Sequence, residues 1–486
     1  MNVQDLEGEG EALHQELGRE YYLTGAGHRA VAGLQVIYAR HPSLLSDEAL
    51  DCARVSGSRE LAEWVVGLRL GRAVAALEER QLAWEQAAVV SSAGRRMPYL
   101  RVPIELANLE DRAARSALDS ARGALVTAGL TPIRQERLER ECEVLRALGY
   151  ADQVTAASTL SGIDLRALGC DAEAFLESTA DLYRDVLARV VRHRLGGAPL
   201  SDLLRADAAW AFRVREYDAS FSGPAMAGVA ERQMADMGLD VTSGGAITFD
   251  TDERPGKQPR AFCVPVRVPQ EVYLVLRPRG GHADYRTFWH ELGHALHFAS
   301  VEPSQPFAAR WLGDNSVTEG YAMLWDHMTI DVAWLRHCGQ LSRERAAVLA
   351  FEVAVHELYM VRRYAAKLTY ELVLHGPGRP AAAAEYADRL TRATLFRYTG
   401  DDYLADVDPW FYAARYLRAW QFEAAMARPL VSRFDEDWYR NPRAGPEVQA
   451  LMSRGQAAPA DRLAEDATGA PLSFGPLAAR LEQQLS

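Results

Sequence analysis

Residues Thr287–His297 of this 486-residue chain read Thr-Phe-Trp-His-Glu-Leu-Gly-His-Ala-Leu-His and contain the pattern H-E-x-x-H between His290 and His294. Residues four apart on an α-helix share one face, so the two imidazoles can bind one metal ion. Glu291, directly after the first histidine, then lies beside the open coordination position, where it can act as a general base. The five apolar residues of this stretch predict that the helix is mostly buried.

A catalytic zinc site takes three protein ligands and leaves a fourth position open, so a third ligand is expected downstream. Glu319 follows His294 by 25 residues and stands in a second helical pattern, far enough along the chain to cross the first helix. Glu302 follows too closely and precedes a proline, and Asp314 suits a helix cap. We therefore predict one Zn²⁺ per chain, held by His290, His294 and Glu319. The alternative for Glu319 is a solvated glutamate favoured by the helix dipole.

Two aspartates are candidates for supporting the ligands. Ligand histidines usually donate their second N–H to a carboxylate or a carbonyl oxygen. Asp326 stands seven residues after Glu319, two turns along the same helix face, and Asp284 precedes the first histidine. At both positions an ordinary surface charge is the alternative.

Composition excludes several classes of protein. The net charge of −12 argues against a nucleic-acid partner, because phosphate binding needs clustered positive charge. No apolar run is long enough for a membrane span, and the acidic, polar N-terminus lacks the layout of a secretory signal. The five cysteines are widely separated and predict neither a disulfide framework nor a cysteine metal site. We therefore expect a cytoplasmic location and no obligate protein partner.

The pattern along the chain predicts a mainly α fold in three regions. Residues 1–238 show helical periodicity, with one helix over 58–90 and another that begins at a Thr131 cap. Residues 239–440 carry the metal motif, preceded by two short strands over 261–268 and 271–276. Residues 441–486 form a C-terminal tail that can end in a helix.

The segment Gly281–His297 resembles the active-site helix of the thimet oligopeptidase and oligoendopeptidase family, in which the run HELGHALH is typical. In that family the third zinc ligand is a glutamate at the spacing of Glu319, and an acidic residue commonly stands where Asp326 does. The two predicted strands also match the small sheet of the family. The strong match covers roughly residues 255–330, and the rest of the chain is similar only in its helical pattern.

This resemblance implies a large, clam-like helical peptidase fold, with a small β element beside a deep channel that admits short peptides. It also implies a late catalytic tyrosine that donates a hydrogen bond to the developing oxyanion. Tyr416 is the first candidate and Tyr412 the second, and an aromatic stripe that packs a helix is the alternative for both. The family usually has a histidine just upstream of these tyrosines, whereas this chain has none after His375.

The sequence thus predicts a zinc-dependent oligopeptidase in which Glu291 activates water. Two alternatives stay open. The pair Arg415-Tyr416 also resembles a pair in the angiotensin-converting-enzyme family, so a dipeptidyl carboxypeptidase is possible, with Arg415 or Arg418 binding the free C-terminal carboxylate of the peptide. The second alternative is a module that binds zinc and peptides without catalysis.

Overall fold

The computed structural model describes residues 1–30, 32–377 and 382–486 of the chain. Helices make up most of the described residues and strands are short, so the prediction of a mainly α fold is confirmed. Among the described helices, none combines the length with the apolar character that a membrane crossing requires.

Internal contacts divide the chain into two compact units, each assembled from separate segments. Unit 1 comprises Met1–Val66, Arg215–Ala350 and Arg415–Arg480. Unit 2 comprises Gly67–Val214, Phe351–Ala414 and Leu481–Ser486. The predicted metal ligands all belong to unit 1.

Ten helices of the described residues lie wholly in unit 1, among them the helix of the sequence motif. They are Val3–Gly25, Leu34–Arg40, Asp47–Val55, Met226–Asp236, His282–Ser300, Phe307–Trp311, Asn315–Asp326, Val332–His337, Ala444–Met452 and Ala460–Thr468. The helices of unit 2 are Val102–Asn108, Arg112–Leu125, Thr131–Ala147, Gln153–Ser161, Leu165–Ser178, Ala180–Arg194, Arg205–Ala211 and Ala383–Thr394. Four further helices contribute residues to both units: Arg59–Ala87, Arg343–Leu374, Tyr412–Phe434 and Gly475–Leu485.

Short strands form two small sheets in the described chain. In unit 2, β1 (Val89–Ser92) and β2 (Arg95–Pro98) form an antiparallel hairpin. In unit 1, β3 (Ile247–Asp250), β4 (Phe262–Arg267) and β5 (Glu271–Val275) form one sheet in the order β3-β5-β4. Strand β5 runs parallel to β3 and antiparallel to β4. The two predicted strands correspond to β4 and β5, and β4 lies at the edge of the sheet.

The helix predicted over residues 58–90 is observed as Arg59–Ala87, but the predicted helix start at Thr131 is wrong. The chain is already helical before it, because Arg112–Leu125 continues through a π-helical turn, Val126–Leu130, into Thr131–Ala147. A proline inside a helix removes one hydrogen bond and crowds the preceding turn, and a wider π turn accommodates it. Pro132 therefore follows a bulge and does not mark a helix start.

The core of unit 1 lies against the helix that carries the motif. Trp289, Trp325 and Trp334 are almost completely buried. The rings of Trp289 and Trp325 stack with centroids 6.4 Å apart, and Trp334 meets Trp289 edge-on at the same distance. Aromatic contacts of this kind add to the stabilisation from burial. The motif therefore stands on a closely packed aromatic core.

Candidate metal centre

Two helices of unit 1 supply the predicted ligands. The histidine helix, His282–Ser300, carries His290, Glu291 and His294. The glutamate helix, Asn315–Asp326, carries Glu319 and begins after the cap residue Asp314, whose carboxylate accepts the N–H of Ser316. A buried cap of this kind fixes the start of a helix, because it satisfies donors that have no partner within the helix.

The two helices approach closely at Gly293, in the middle of the motif. A Cβ atom at this position would lie 2.7 Å from the Cα of Ala322 and 2.9 Å from the Cδ1 of Trp325. Only glycine leaves room for the backbone of the glutamate helix at this distance. The identity of residue 293 therefore sets how close the histidines come to Glu319.

The structure brings His290, His294 and Glu319 together as a group that could hold a metal ion. One ligand atom from each residue lies within 4.8 Å of the other two. The Nε2 atom of His290 is 3.3 Å from Oε2 of Glu319, and that of His294 is 3.6 Å from the same oxygen. Glu319 is 5% exposed, which is inconsistent with a solvated surface glutamate. Its carboxylate faces the two imidazoles.

Each histidine ring is oriented by a second residue on the glutamate helix. The Nδ1 atom of His290 lies 3.0 Å from Oδ2 of Asp326, and the Nδ1 atom of His294 lies 2.9 Å from the hydroxyl of Thr318. Partners at Nδ1 turn both Nε2 atoms towards Glu319, which is the arrangement that ligand histidines need. Arg286 in turn donates to the other oxygen of Asp326 at 3.2 Å.

These distances fit one small divalent ion. Ligand atoms bound at about 2.0–2.1 Å in a tetrahedral arrangement lie about 3.3–3.4 Å apart. The two separations from Oε2 of Glu319, 3.3 and 3.6 Å, are close to this value. The side chains of His290 and His294 are 18% and 13% exposed, so the group is open on the histidine side. That open side is where a fourth coordination position can face solvent or substrate.

The electrostatics of the group suit a cation. Burial would lower the pKa of His290, but the hydrogen bonds and charges of Asp326 and Glu319 outweigh it and raise this pKa to about 10. Burial would raise the pKa of Glu319, but the charges and hydrogen bonds of His294 and His290 hold it well below its usual range. A metal ion that binds here displaces a proton from His290 and takes over its role as the positive partner of Glu319.

Glu291 is held by the neighbouring sheet. Its Oε2 accepts the backbone N–H of Cys263, an edge-strand residue of β4, at 2.9 Å. Burial raises the pKa of Glu291 above its ordinary value, and the charges of His294 and His290 partly offset this effect. One carboxylate oxygen is thus fixed by the protein, and the pKa is moved towards the range in which a carboxylate can accept and return a proton.

The two candidate tyrosines lie at the start of the tyrosine helix, Tyr412–Phe434. Both are partly buried, and the ring of Tyr416 lies 6.2 Å from that of Trp420. Tyr416 belongs to unit 1 together with the metal ligands, whereas Tyr412 belongs to unit 2. Their roles stay predictions.

The two aspartates that were candidates for supporting the metal ligands differ in their contacts. Asp284 accepts the backbone N–H groups of Arg279 and Gly280 and so supports the loop before the histidine helix, while Asp326 contacts the ring of His290. Sequence reasoning missed the contributions of Thr318 and of the Cys263 amide. Thr318 directly precedes Glu319, and this position could have identified it as a partner of a histidine ring. The Cys263 contact depends on the position of an edge strand, and no residue type reveals it.

Comparisons with known protein families and with curated proteins find no match to this chain. The resemblance to the oligopeptidase family therefore stays a prediction that rests on the motif, the spacing of Glu319 and the two strands.

Proposed function

We propose that this chain is a zinc-dependent peptidase that hydrolyses short peptides. The observation that carries the proposal is the convergence of His290, His294 and Glu319, with Glu291 beside them on the histidine helix. Two histidines and a glutamate are the protein ligands of known zinc peptidases, and the glutamate after the first histidine is their general base. The mixed nitrogen and oxygen donors also suit zinc.

The residues of the chain can be given roles in hydrolysis. Bound zinc supplies Lewis-acid polarisation of the scissile carbonyl and makes water nucleophilic at neutral pH. Because the Cys263 amide holds Oε2 of Glu291, Oε1 is the oxygen that accepts the proton of the attacking water. The same carboxyl then returns this proton to the leaving amine. Tyr416, or Tyr412 as second candidate, donates a hydrogen bond to the oxyanion.

The contacts of two arginines favour an endopeptidase over a dipeptidyl carboxypeptidase. Arg415 and Arg418 were the candidates for binding a free C-terminal carboxylate, but both are more than 90% buried. Arg415 donates to Asp314 and Glu63, and Arg418 donates to Asp314 and Asp461. A guanidinium that already binds two carboxylates is poorly placed to receive a third.

A module that binds zinc and peptides without catalysis is the proposal's rival from another class. Metal binding alone does not require Glu291. It also does not require the Cys263 N–H that orients the Glu291 carboxylate, so both features favour catalysis.

The proposal also includes a cytoplasmic location and short peptides as the partners, with neither nucleic acid nor membrane among them.

The experiment that tests the proposal measures metal and hydrolysis in the same preparations. The protein is stripped with a chelator, reloaded with Zn²⁺ and incubated with a peptide mixture in which half of the members carry a C-terminal amide. We expect about one zinc per chain, as a three-ligand site predicts, and zinc-dependent cleavage of blocked and free peptides alike. Cleavage restricted to free C-termini would indicate a carboxypeptidase. Zinc without any cleavage would favour the binding module, and absence of zinc binding would refute the proposal.

Replacing Asp326 by asparagine is expected to weaken zinc binding by about 10–100-fold, the usual effect of losing the partner of a ligand histidine. Asparagine keeps the shape but removes the charge that orients His290 and pairs with Arg286. Thr318→Val, which removes only a neutral partner of His294, should have a smaller effect.

Competition with a chromogenic chelator measures both affinities. Asp181→Asn serves as the control, because that side chain is 93% exposed and pairs with Arg184 on the same helix. Equal zinc affinity in Asp326→Asn and the wild type would show that Asp326 does not support the metal centre.

A further inference from the structure

One buried carboxylate in unit 1 joins the start of the glutamate helix to the tyrosine helix. Asp314 caps the glutamate helix through Oδ1. The same oxygen accepts Nη1 of Arg415 at 3.0 Å, and Oδ2 accepts Nη2 of Arg418 at 3.0 Å. Both arginines lie on the tyrosine helix. The backbone N–H of Ala460 also donates to Oδ2, at 3.2 Å. Both oxygens of Asp314 therefore hold neighbouring elements together.

Three carboxylates and two guanidiniums make up this clamp. Asp314, Arg415 and Arg418 are each more than 90% buried. Two outer carboxylates, those of Glu63 and Asp461, pair with Arg415 and Arg418, which gives three negative and two positive charges. The side chain of Asp461 is 56% exposed, so its charge is also solvated. Burial would raise the pKa of Asp314, but the charges of Arg418 and Arg415 keep it well below its usual range. Asp314 is thus ionised, and its loss would remove a buried charge partner from both guanidiniums at once.

A second contact holds the same two helices together immediately after Glu319. A Cβ atom at Gly320 would lie 2.4 Å from Cδ1 of Phe422 and 3.3 Å from the backbone oxygen of Ala419. Both residues belong to the tyrosine helix. Asp314 and Gly320 are therefore two points of attachment on either side of Glu319. Glu319 lies five residues after Asp314, a rise of about 7.5 Å along the helix, so a shift at the cap is passed on to Glu319.

We infer that Asp314 is a positioning residue of the metal centre: through Arg415 and Arg418 it fixes the glutamate helix on the tyrosine helix and so holds Glu319 opposite the two histidines. The inference rests on the proposed zinc site. Asp314 acts through Glu319. Since Tyr416 lies between the two arginines in sequence, the clamp also fixes the helix that presents this tyrosine.

The test compares Asp314→Asn with wild type in the full chain, with Zn²⁺ alone as the probe and a chromogenic chelator as competitor. We expect binding about 10–100-fold weaker, the range for outer residues that orient metal ligands, and still one zinc at saturation. Asp207→Asn is the matched control, because Asp207 is also buried and accepts from two arginines, Arg112 and Arg115, but lies in unit 2. Its zinc affinity should not change even if its thermal stability falls.

A double variant separates positioning from general destabilisation. In a Glu319→Gln background the Asp314→Asn change should weaken zinc binding no further, because the ligand that it positions is already lost. Equal weakening in both backgrounds, or equal weakening by Asp207→Asn, would overturn the inference. If Asp314→Asn does not fold, Arg418→Lys decides by the same criteria, since lysine keeps the charge but loses the paired donors. A wild type that binds no zinc would refute the proposed function itself, which distinguishes the two failures.

Discussion

Replacing Glu291 by glutamine is expected to lower kcat/KM for peptide hydrolysis by about 10²–10⁴-fold, the usual contribution of a general base. Glutamine has nearly the same shape and can still accept the N–H of Cys263, but it cannot take a proton from water. Because Glu291 is not one of the three grouped ligands, zinc affinity should stay within about twofold of wild type. The measurement is steady-state hydrolysis of a peptide identified in the mixture, with zinc quantified in the same samples.

The matched control for this variant is Glu302→Gln. Glu302 is exposed and lies just after the end of the histidine helix. Its replacement by glutamine is the same chemical change as in Glu291→Gln. It should leave both hydrolysis and zinc binding unchanged. If Glu291→Gln kept more than about a tenth of the activity, well above the range expected for losing a general base, the assigned role would be wrong.

Replacing Gly293 by alanine is expected to destabilise the protein by about 1–3 kcal/mol and to weaken zinc binding by at least about tenfold. The new methyl group would lie 2.7 Å from a backbone atom of Ala322, so relief requires the glutamate helix to move. Such a movement carries Glu319 away from His290 and His294. The gain from replacing a helical glycine, about 0.5–1 kcal/mol, is too small to compensate.

Gly8→Ala is the control, because it is expected to stabilise the protein where Gly293→Ala destabilises it. Gly8 lies within the helix Val3–Gly25, and a Cβ atom there meets nothing within 4 Å. This change should stabilise the protein by about 0.5–1 kcal/mol without altering the zinc affinity. Urea unfolding of the metal-free proteins and chelator competition measure the two quantities. Wild-type stability and affinity in Gly293→Ala would contradict the close packing of the two ligand helices.

The sequence was informative where one residue type at one spacing determines the chemistry. The pair His290 and His294 was predictable because helical geometry alone places them together, and Glu319 followed from the distance along the chain that a crossing helix needs. The strands β4 and β5 were predictable from β-branched and aromatic residues around a proline.

Asp326 was predictable from its place on the face of the glutamate helix that carries Glu319, and Thr318 could have been found from its place beside Glu319. The Cys263 amide and the Asp314 clamp could not be predicted, because they act across elements that are distant in sequence. Arg415 and Arg418 illustrate the difficulty: sequence suggested a role in binding a substrate carboxylate, and the structure instead surrounds them with carboxylates of the protein. Strand β3 has only four residues, too few for its periodicity to stand out.

The segmented make-up of unit 1 has a consequence for the order of events during synthesis. Its first 66 residues leave the ribosome long before their partners in 215–350, and the arginines of the clamp and Phe422 emerge later still. A nascent chain that stops before residue 415 carries all three proposed ligands but lacks the helix against which the glutamate helix packs. We therefore expect tight metal binding only after residues 415–434 have been synthesised, and products truncated before residue 415 to bind zinc more weakly than the full chain.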